Sequence, residues 1–460
     1  MSILLFLETW LHHIIRATLA SDPAFRSFAG KDRMVHVTRS DVDLYQCFKL
    51  RRILQYCYQK SSFYREQWDS AGVKPDDIHD PADLPSLPFT EPQHLSEVPY
   101  RFLCRSRAEV ARPYTFITSG TTGPQKKIFW TQNDLERITD FMAAGIGTVA
   151  GPEDVIQIML PNGRPNSQAD LLRKGVNKLG AHPVIAGMDL GARDHLNLIE
   201  QFRSTIIFGY TNRLFRISKE LQPQHRLDCT GVRVLFLAAE YVPDAMRRDL
   251  QKLWNCQVHT HYGLTEMGLG VAVECEARNG YHFNEADLLL EIVDPLTGKP
   301  VAAGQEGELV FTTLNREAMP LIRYRTHDIS RLIIEPCACG AASLLKIDKV
   351  KKRLESIITI GDGDEMYPAL FDDVLFEVPG VVDYQVALIR QGDKQRLDFK
   401  IEMTALCEDR IPEIAAKLIS APIVAKNLAA GRMVEPSIEL VDWGALKSAS
   451  RAKKMIVDRR

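Results

Sequence analysis

Between residues 155 and 254 short β-prone runs take turns with helical patterns: VIQIML, then NSQADLLRKGVNKLG, then STIIFGY, a further helical stretch, VRVLFLAAE and DAMRRDLQKLW. Runs this short and this apolar suit strands of a sheet's interior, and strands separated by helices cannot close as hairpins. The alternation therefore predicts βαβ units and a parallel sheet covered by helices. After residue 280 the texture changes. LLLEIVDPLTGKPVAAGQEGELVFTTL has shorter apolar runs broken by Gly and Pro, the pattern of antiparallel hairpins. Beyond residue 353, SIITI, DYQVALIR, RLDFKIEM and SIELVD are separated by helical segments such as RIPEIAAKLI, which fits a small α+β domain. The expected fold class is α/β: a large N-terminal domain of βαβ units with a β-hairpin subdomain, and a small C-terminal α+β domain. The expected boundaries are 1–42 for an N-terminal helical extension, 43–353 for the large domain and 354–460 for the small one.

The 460 residues are 45% hydrophobic, enough for a large core, and the formal charge of −2 gives no field that would favour nucleic acid as partner. A small molecule is the expected partner. Nine cysteines, an odd number without regular spacing, suit free thiols in a reducing compartment, so the cytoplasm is the expected location. The opening run ILLFLETWLHHIIRATL is too short and too polar, with Glu8, His12 and His13, to span a bilayer. Leu4, Leu7, Leu11 and Ile14 recur at helical spacing, so it reads as an amphipathic helix, packed on the domain or docked on a membrane or partner.

FITSGTTGPQKK, residues 116–127, strings together small hydroxyl residues and glycines ahead of Lys126 and Lys127. Such a loop can turn consecutive backbone N–H groups and hydroxyls toward a polyphosphate, with a lysine ammonium in reach. The spacing is not that of a Walker loop, and a solvated hairpin turn is the alternative. Three other stretches carry chemistry. LAAE (237–240) ends a buried-looking strand with Glu240, where parallel sheets bind ligands. HTHYGLTEMG (259–268) offers Tyr262 for stacking, Thr265 as a hydroxyl and Glu266 as a hard oxygen for Mg²⁺. LIRYRTHDIS (321–330) offers Asp328 to a ribose, with Arg323 and Arg325 beside it. Singly, each is explained as a solvated carboxylate or a surface ion pair.

In this order and spacing the motifs resemble the adenylate-forming (AMP-dependent synthetase/ligase) superfamily, and most specifically its phenylacetate-CoA ligase-like branch. The resemblance covers residues 43–460 and is strongest from HYGLTEMGLG through RYRTHDISRL. It implies ATP-dependent activation of a carboxylic acid as an acyl-adenylate, followed by transfer, most commonly to coenzyme A; a carrier-protein thiol or an amine would use the same first step. It implies that Ser119, Gly120, Thr121, Thr122 and Gly123 embrace the ATP phosphates, and that Ala239, Glu240, Tyr262, Gly263, Asp328, Arg325 and Arg353 surround the nucleotide. Thr265 and Glu266 act at the phosphates and Mg²⁺, the C-terminal domain is mobile, and the branch allows a homodimer.

The match frays in places. Where the superfamily carries Gly-Lys near the C-terminus, LKSASRAKKMIVDRR has Ser450 and Arg451. Arginine keeps the charge but is planar and broader, so the swap is not conservative. Either Lys453 or Lys454 takes over, or adenylation is weakened and the protein is a catalytically impaired nucleotide-binding or regulatory relative. At the hinge, KRLES replaces GRSDD, keeping Arg353 and Glu355. In the acid-binding region MLPNGRPNSQADLL is polar where aryl acids meet glycine and aromatic residues. Asn162 and Arg164, with Asn166, Ser167 and Gln168, point to a polar or additionally anionic acid with Arg164 as carboxylate clamp, or else cap the following helix. Finally, EPCACG supplies Cys337 and Cys339, and the resemblance places Cys275 and His282 nearby. Three thiolates and an imidazole make a closed structural zinc set; two free thiols in a surface hairpin are the alternative.

Overall fold

A computed structural model describes residues 6–116, 125–446 and 455–460. Ser119, Gly120, Thr121, Thr122 and Gly123, and Ser450, Arg451, Lys453 and Lys454, lie outside the described residues. Contacts group the chain into two units, 1–188 with 259–349, and 189–258 with 350–460.

In the first unit the helix Phe6–Ser21 turns Leu7, Leu11, Ile15 and Leu19 inward, a strict four-residue spacing that puts one stripe on the core. Leu11, Ile15 and Leu19 pack with Phe25, Tyr45 and Phe48. The amphipathic run is thus packed on its own unit. The helices Arg39–Lys60 and Ser62–Ala71 follow; Thr38 and Asp41 form a capping box at the start of the first, and Gly72, at φ 70°, closes the second. Strands Val155–Met159 and His182–Ile185 pair in parallel across the helix Gln168–Leu179, as the alternation predicts. Strands Arg112–Phe116 and Lys126–Trp130 pair antiparallel, with Phe116 opposite Lys126, and so flank the Gly-rich stretch. Strands Leu288–Val293, Gly307–Thr313 and Tyr324–Ser330 are antiparallel neighbours, which bears out the hairpin texture after residue 280.

In the second unit Ile206–Tyr210 and Val234–Ala238 are parallel partners joined across the helix Thr211–Leu221. Its C-terminal portion is a four-stranded sheet in the order Ser437–Val441, Lys394–Met403, Val381–Gln391, Ile456–Arg459, accompanied by helices Ala369–Leu375, Ile411–Ser420 and Pro422–Ala429. This is the expected α+β arrangement. No helix among the described residues is long and apolar enough to cross a membrane.

The helix Thr211–Leu221 meets that sheet through charge. Arg216 Nη1 and Nη2 donate to Glu402 Oε1 and Oε2 at 2.6 and 2.5 Å, and Glu402 also accepts from the Gly444 amide at 2.6 Å and the Leu446 amide at 3.2 Å. The Arg216 guanidinium lies 5.7 Å over Trp443. Burial alone would raise the Glu402 carboxyl, but Arg216 and the two amides outweigh it and hold the group below its ordinary 4.5. Because the folded value is depressed, the stabilisation is complete above about pH 4.5 and is lost as pH falls through the folded value. Removing one partner of a buried pair leaves an uncompensated charge, so Arg216→Met is expected to cost about 3–5 kcal/mol in denaturant unfolding at pH 7. The deficit should shrink as the pH is lowered toward 4.

Candidate active site and metal centre

Tyr262 ends the strand Gln257–Tyr262, and Asp328 lies within Tyr324–Ser330. The two meet: Tyr262 Oη donates to Asp328 Oδ2 at 2.5 Å, with both side chains buried. The next residue, Gly263, is fixed by close approach, since a Cβ there would lie 2.2 Å from the Leu269 carbonyl oxygen. Glu266 follows in the turn and is buried. Its Oε1 accepts from Tyr324 Oη at 2.8 Å and from Lys126 Nζ at 3.2 Å, and Lys126 Nζ also reaches Tyr324 Oη at 3.3 Å. Arg316 donates to the Glu266 carbonyl. An ionised carboxylate can stay buried only when so partnered, and Lys126 stands just after the Gly-rich stretch. Thr265, half-buried, contributes its carbonyl to the Gly268 amide. Lys127 instead lies 5.4 Å over the Tyr100 ring.

Leu269 and His327 have φ of 72° and 61°, and in the second unit Ala239 has φ of 74°, a region that costs a side-chain-bearing residue roughly 1–2 kcal/mol.

In the second unit, Ala239 and Glu240 follow the strand Val234–Ala238 and line an open cleft of about 700 Å³ with Tyr241, Asn212 and Arg353. Tyr241 Oη donates to Asp373 Oδ1 at 2.8 Å. Lys351 Nζ lies 3.3 Å from Asp373 Oδ2 and 5.1 Å over the Tyr241 ring. Burial, with Asp373 beside it, pushes the Tyr241 hydroxyl far above its usual range, so it remains a donor.

Other candidate residues are placed differently. Arg325 directs Nε and Nη2 to Glu308 Oε2 at 2.9 and 2.5 Å and Nη2 to the Pro295 carbonyl at 2.8 Å, so it braces its own sheet. Asn162 and Arg164 are exposed. Ser167 caps the helix Gln168–Leu179, Asn166 accepts from Lys174 Nζ at 2.6 Å and donates its amide to Asp170 at 2.8 Å, and Gln168 reaches Tyr114. The capping alternative therefore accounts for Asn166 and Ser167.

Cys275, His282, Cys337 and Cys339 converge, with all four ligand atoms within 4.8 Å of one another. Cys275 follows the strand Ala272–Glu274 and His282 sits in Tyr281–Phe283, which is paired to it; the other two come from the loop before Lys346–Ile347, which pairs with His282. Cys275 Sγ is 3.4 Å from Cys337 Sγ, and Cys339 Sγ is 3.5 Å from His282 Nε2. His282 Nδ1 lies 3.0 Å from the Leu345 carbonyl, which fixes Nδ1 as the protonated nitrogen and turns Nε2 to the cluster. The Cys339 thiol is held below its ordinary range, chiefly by its contact with Cys275 and further by His282. A soft, closed S₃N set of this size fits Zn²⁺ and leaves no open position for substrate.

The model of the AMP-binding enzyme family matches residues 103–315, and that of the AMP-binding enzyme C-terminal domain matches 363–460. Phenylacetate-coenzyme A ligases are similar along most of their length: that of Thermus thermophilus is 32% identical over 82% of this chain and 84% of its own, and that of Escherichia coli is 30% identical over 80% and 84%. The chain belongs to the adenylate-forming AMP-binding enzymes, in the phenylacetate-CoA ligase branch. Among solved structures, the 2-hydroxyisobutyryl-CoA ligase in its postadenylation state with 2-HIB-AMP superposes with a TM-score of 0.76 at 18% identity, covering 91% of this chain and 90% of that one. An anthranilate CoA ligase with anthranoyl-AMP gives 0.52 at 16% identity, covering 74% and 65%. These likenesses bear out the fold.

For an adenylate-forming enzyme the residues that sequence reasoning left aside are Tyr324 and Tyr241, and it raised Lys126 only as a neighbour of the loop. Tyr324 stood in the quoted LIRYRTHDIS, and a tyrosine between two arginines at a strand start was the available signal. Tyr262→Phe removes a hydrogen bond to a buried carboxylate, and unfolding in urea should show a loss of about 1.5–3 kcal/mol.

Proposed function

We propose that this adenylate-forming ligase uses ATP to activate a polar carboxylic acid and passes the acyl group to coenzyme A. The observation that carries the reading is the buried Glu266 side chain held by Lys126 and Tyr324, with Lys126 at the start of a strand that flanks the Gly-rich stretch. Ser119, Gly120, Thr121, Thr122 and Gly123 are assigned the polyphosphate, Tyr262 and Gly263 the adenine, and Asp328 the ribose hydroxyls. By the family resemblance Ala239, Glu240 and Arg353 are assigned to the nucleotide, and Thr265 to a phosphate oxygen. Arg325, paired to Glu308, acts as a brace for the strand that carries Asp328. The large and small catalytic domains are taken as 43–353 and 354–460, with 1–42 as an extension.

In the first half-reaction a carboxylate oxygen of the acid attacks the α-phosphorus; the bond to the bridging oxygen breaks, and pyrophosphate leaves with its electron pair. Two anions must be aligned against their repulsion, so cations and amide donors matter more than a general base. Lys126 supplies one positive charge beside Glu266. Mg²⁺, held by Glu266, supplies further neutralisation of phosphate charge when bound. In the second half-reaction the CoA thiol, as thiolate, adds to the acyl carbon and AMP departs. Arg164 is assigned the distal group of the acid, with Asn162 beside it, because Asn166 and Ser167 are spent on the helix. The terminal cation is assigned to Arg451 or Lys453, with Lys454 as the third candidate. Cys275, His282, Cys337 and Cys339 are assigned a structural Zn²⁺. Free thiols and an odd cysteine count favour the cytoplasm, and the branch allows a homodimer.

Acid-dependent exchange of pyrophosphate into ATP tests the first step: a panel of polar and aryl carboxylic acids should include one that supports exchange, and complete silence would favour the impaired nucleotide-binding alternative suggested by Arg451. With that acid, Glu266→Gln should lower the exchange rate about 10²–10³-fold. Among Arg451→Ala, Lys453→Ala and Lys454→Ala, one variant should lose exchange far more than the others and identify the cation. Gently purified protein should contain one zinc per chain, lost in the double variant Cys337→Ser with Cys339→Ser; protein without zinc would rule the metal out.

A further inference from the structure

The loop that carries Cys337 and Cys339 has two sets of anchors. On one side are Cys275 and His282. On the other, beginning three residues after Cys339, is the N-terminal helix. Glu8 Oε1 accepts from the Ala342 amide at 2.9 Å, the Ser343 amide at 2.7 Å and the Ser343 hydroxyl at 2.6 Å. His12 Nε2 lies 2.7 Å from the same hydroxyl, which donates to Glu8 and so accepts from His12. Arg39 Nη1 donates to the Ser343 carbonyl at 2.7 Å and pairs with Glu285, and Glu285 Oε1 accepts from the Leu345 amide at 2.7 Å. Leu345 in turn gives its carbonyl to His282 Nδ1. Glu8 is only 8% exposed, although it lies in the first turns of an otherwise apolar stripe.

We propose that Glu8 is a positioning residue for the metal centre, and that docking of the helix Phe6–Ser21 and metal binding at Cys275, His282, Cys337 and Cys339 are thermodynamically linked. The inference rests on the metal reading given above. A buried carboxylate needs its donors, and the loop presents three of them from two adjacent residues; if the loop rearranges, Glu8 is left buried without them and the helix end is destabilised. Conversely, the metal requires Cys337 and Cys339 to stay within bonding reach of His282, and Glu8, Arg39 and Glu285 hold the chain that leads away from them. Whatever the metal contributes to helix docking, docking must contribute equally to metal affinity. The N-terminal helix is thus part of the metal site without supplying a ligand.

The full-length protein loaded with zinc tests this without recourse to activity. Amide hydrogen exchange is measured across residues 6–21 and 341–345 before and after removal of zinc by a chelator, with the helix Gln168–Leu179 as internal reference. Both segments should exchange at least about tenfold faster in the zinc-free protein while the reference stays unchanged. In parallel, zinc release to a chromophoric chelator is timed for Glu8→Ala and Glu8→Gln. Release should be about tenfold faster from the alanine variant, with partial recovery in the glutamine variant, which keeps an acceptor. If Glu8→Ala fails to fold, the exchange comparison on the unaltered chain decides. Zinc bound with the helix indifferent to its removal overturns the linkage and leaves the metal reading standing; a chain that takes up no zinc overturns both.

Discussion

The Glu266 side chain is taken out of water, and three elements of the first unit converge to partner it. Its donors come from three places: Lys126 on the hairpin that flanks the Gly-rich stretch, Tyr324 on the central antiparallel sheet and, at the backbone, Arg316 from the turn between two of that sheet's strands. To bring them together the turn after Tyr262 must fold tightly, which is why position 263 admits no Cβ and why Leu269 takes a left-handed backbone. The low dielectric that makes an unpartnered Glu266 costly also makes its charge effective on a phosphate or a cation.

The same logic recurs at other buried acids among the described residues. Asp328 is met by Tyr262, Glu402 by Arg216 and two amides, and Glu285 by Arg39 and Leu345. Each joins elements that are distant in sequence. Removing one partner of any of them would leave a buried polar or charged group uncompensated.

This explains what could be read from the chain beforehand. The βαβ alternation, the hairpins and the C-terminal α+β pattern are local periodicities, and they survive folding as such: 155–159, 168–179 and 182–185 form the unit their spacing announces. Tyr262 meets Asp328, and Cys275, His282, Cys337 and Cys339 converge; these residues and Glu266 were named as candidates because family resemblance encodes their spacing. Their partners were not. Lys126 and Glu266 are 140 residues apart, Lys126 and Tyr324 198, and Glu8 and Ser343 335; no window of sequence reports such pairings. Glu8 counted in the sequence only as a polar residue that unsuits the run for a bilayer, and in the structure it is an acceptor for a loop. Asn166 and Ser167 looked equally suited to a ligand and to a helix cap, because the same hydroxyl and amide chemistry serves both, and only the positions of Lys174 and Asp170 separate the two.

The strand Ile456–Arg459 lies in parallel beside Val381–Gln391, at the outer margin of the C-terminal sheet. That neighbour is eleven residues long and largely apolar on its inner face, so without its cover it would offer a row of unpaired amides and carbonyls to any other chain. The cover reaches only Val386–Ile389, and the terminal strand turns its own far edge outward in place of its neighbour's.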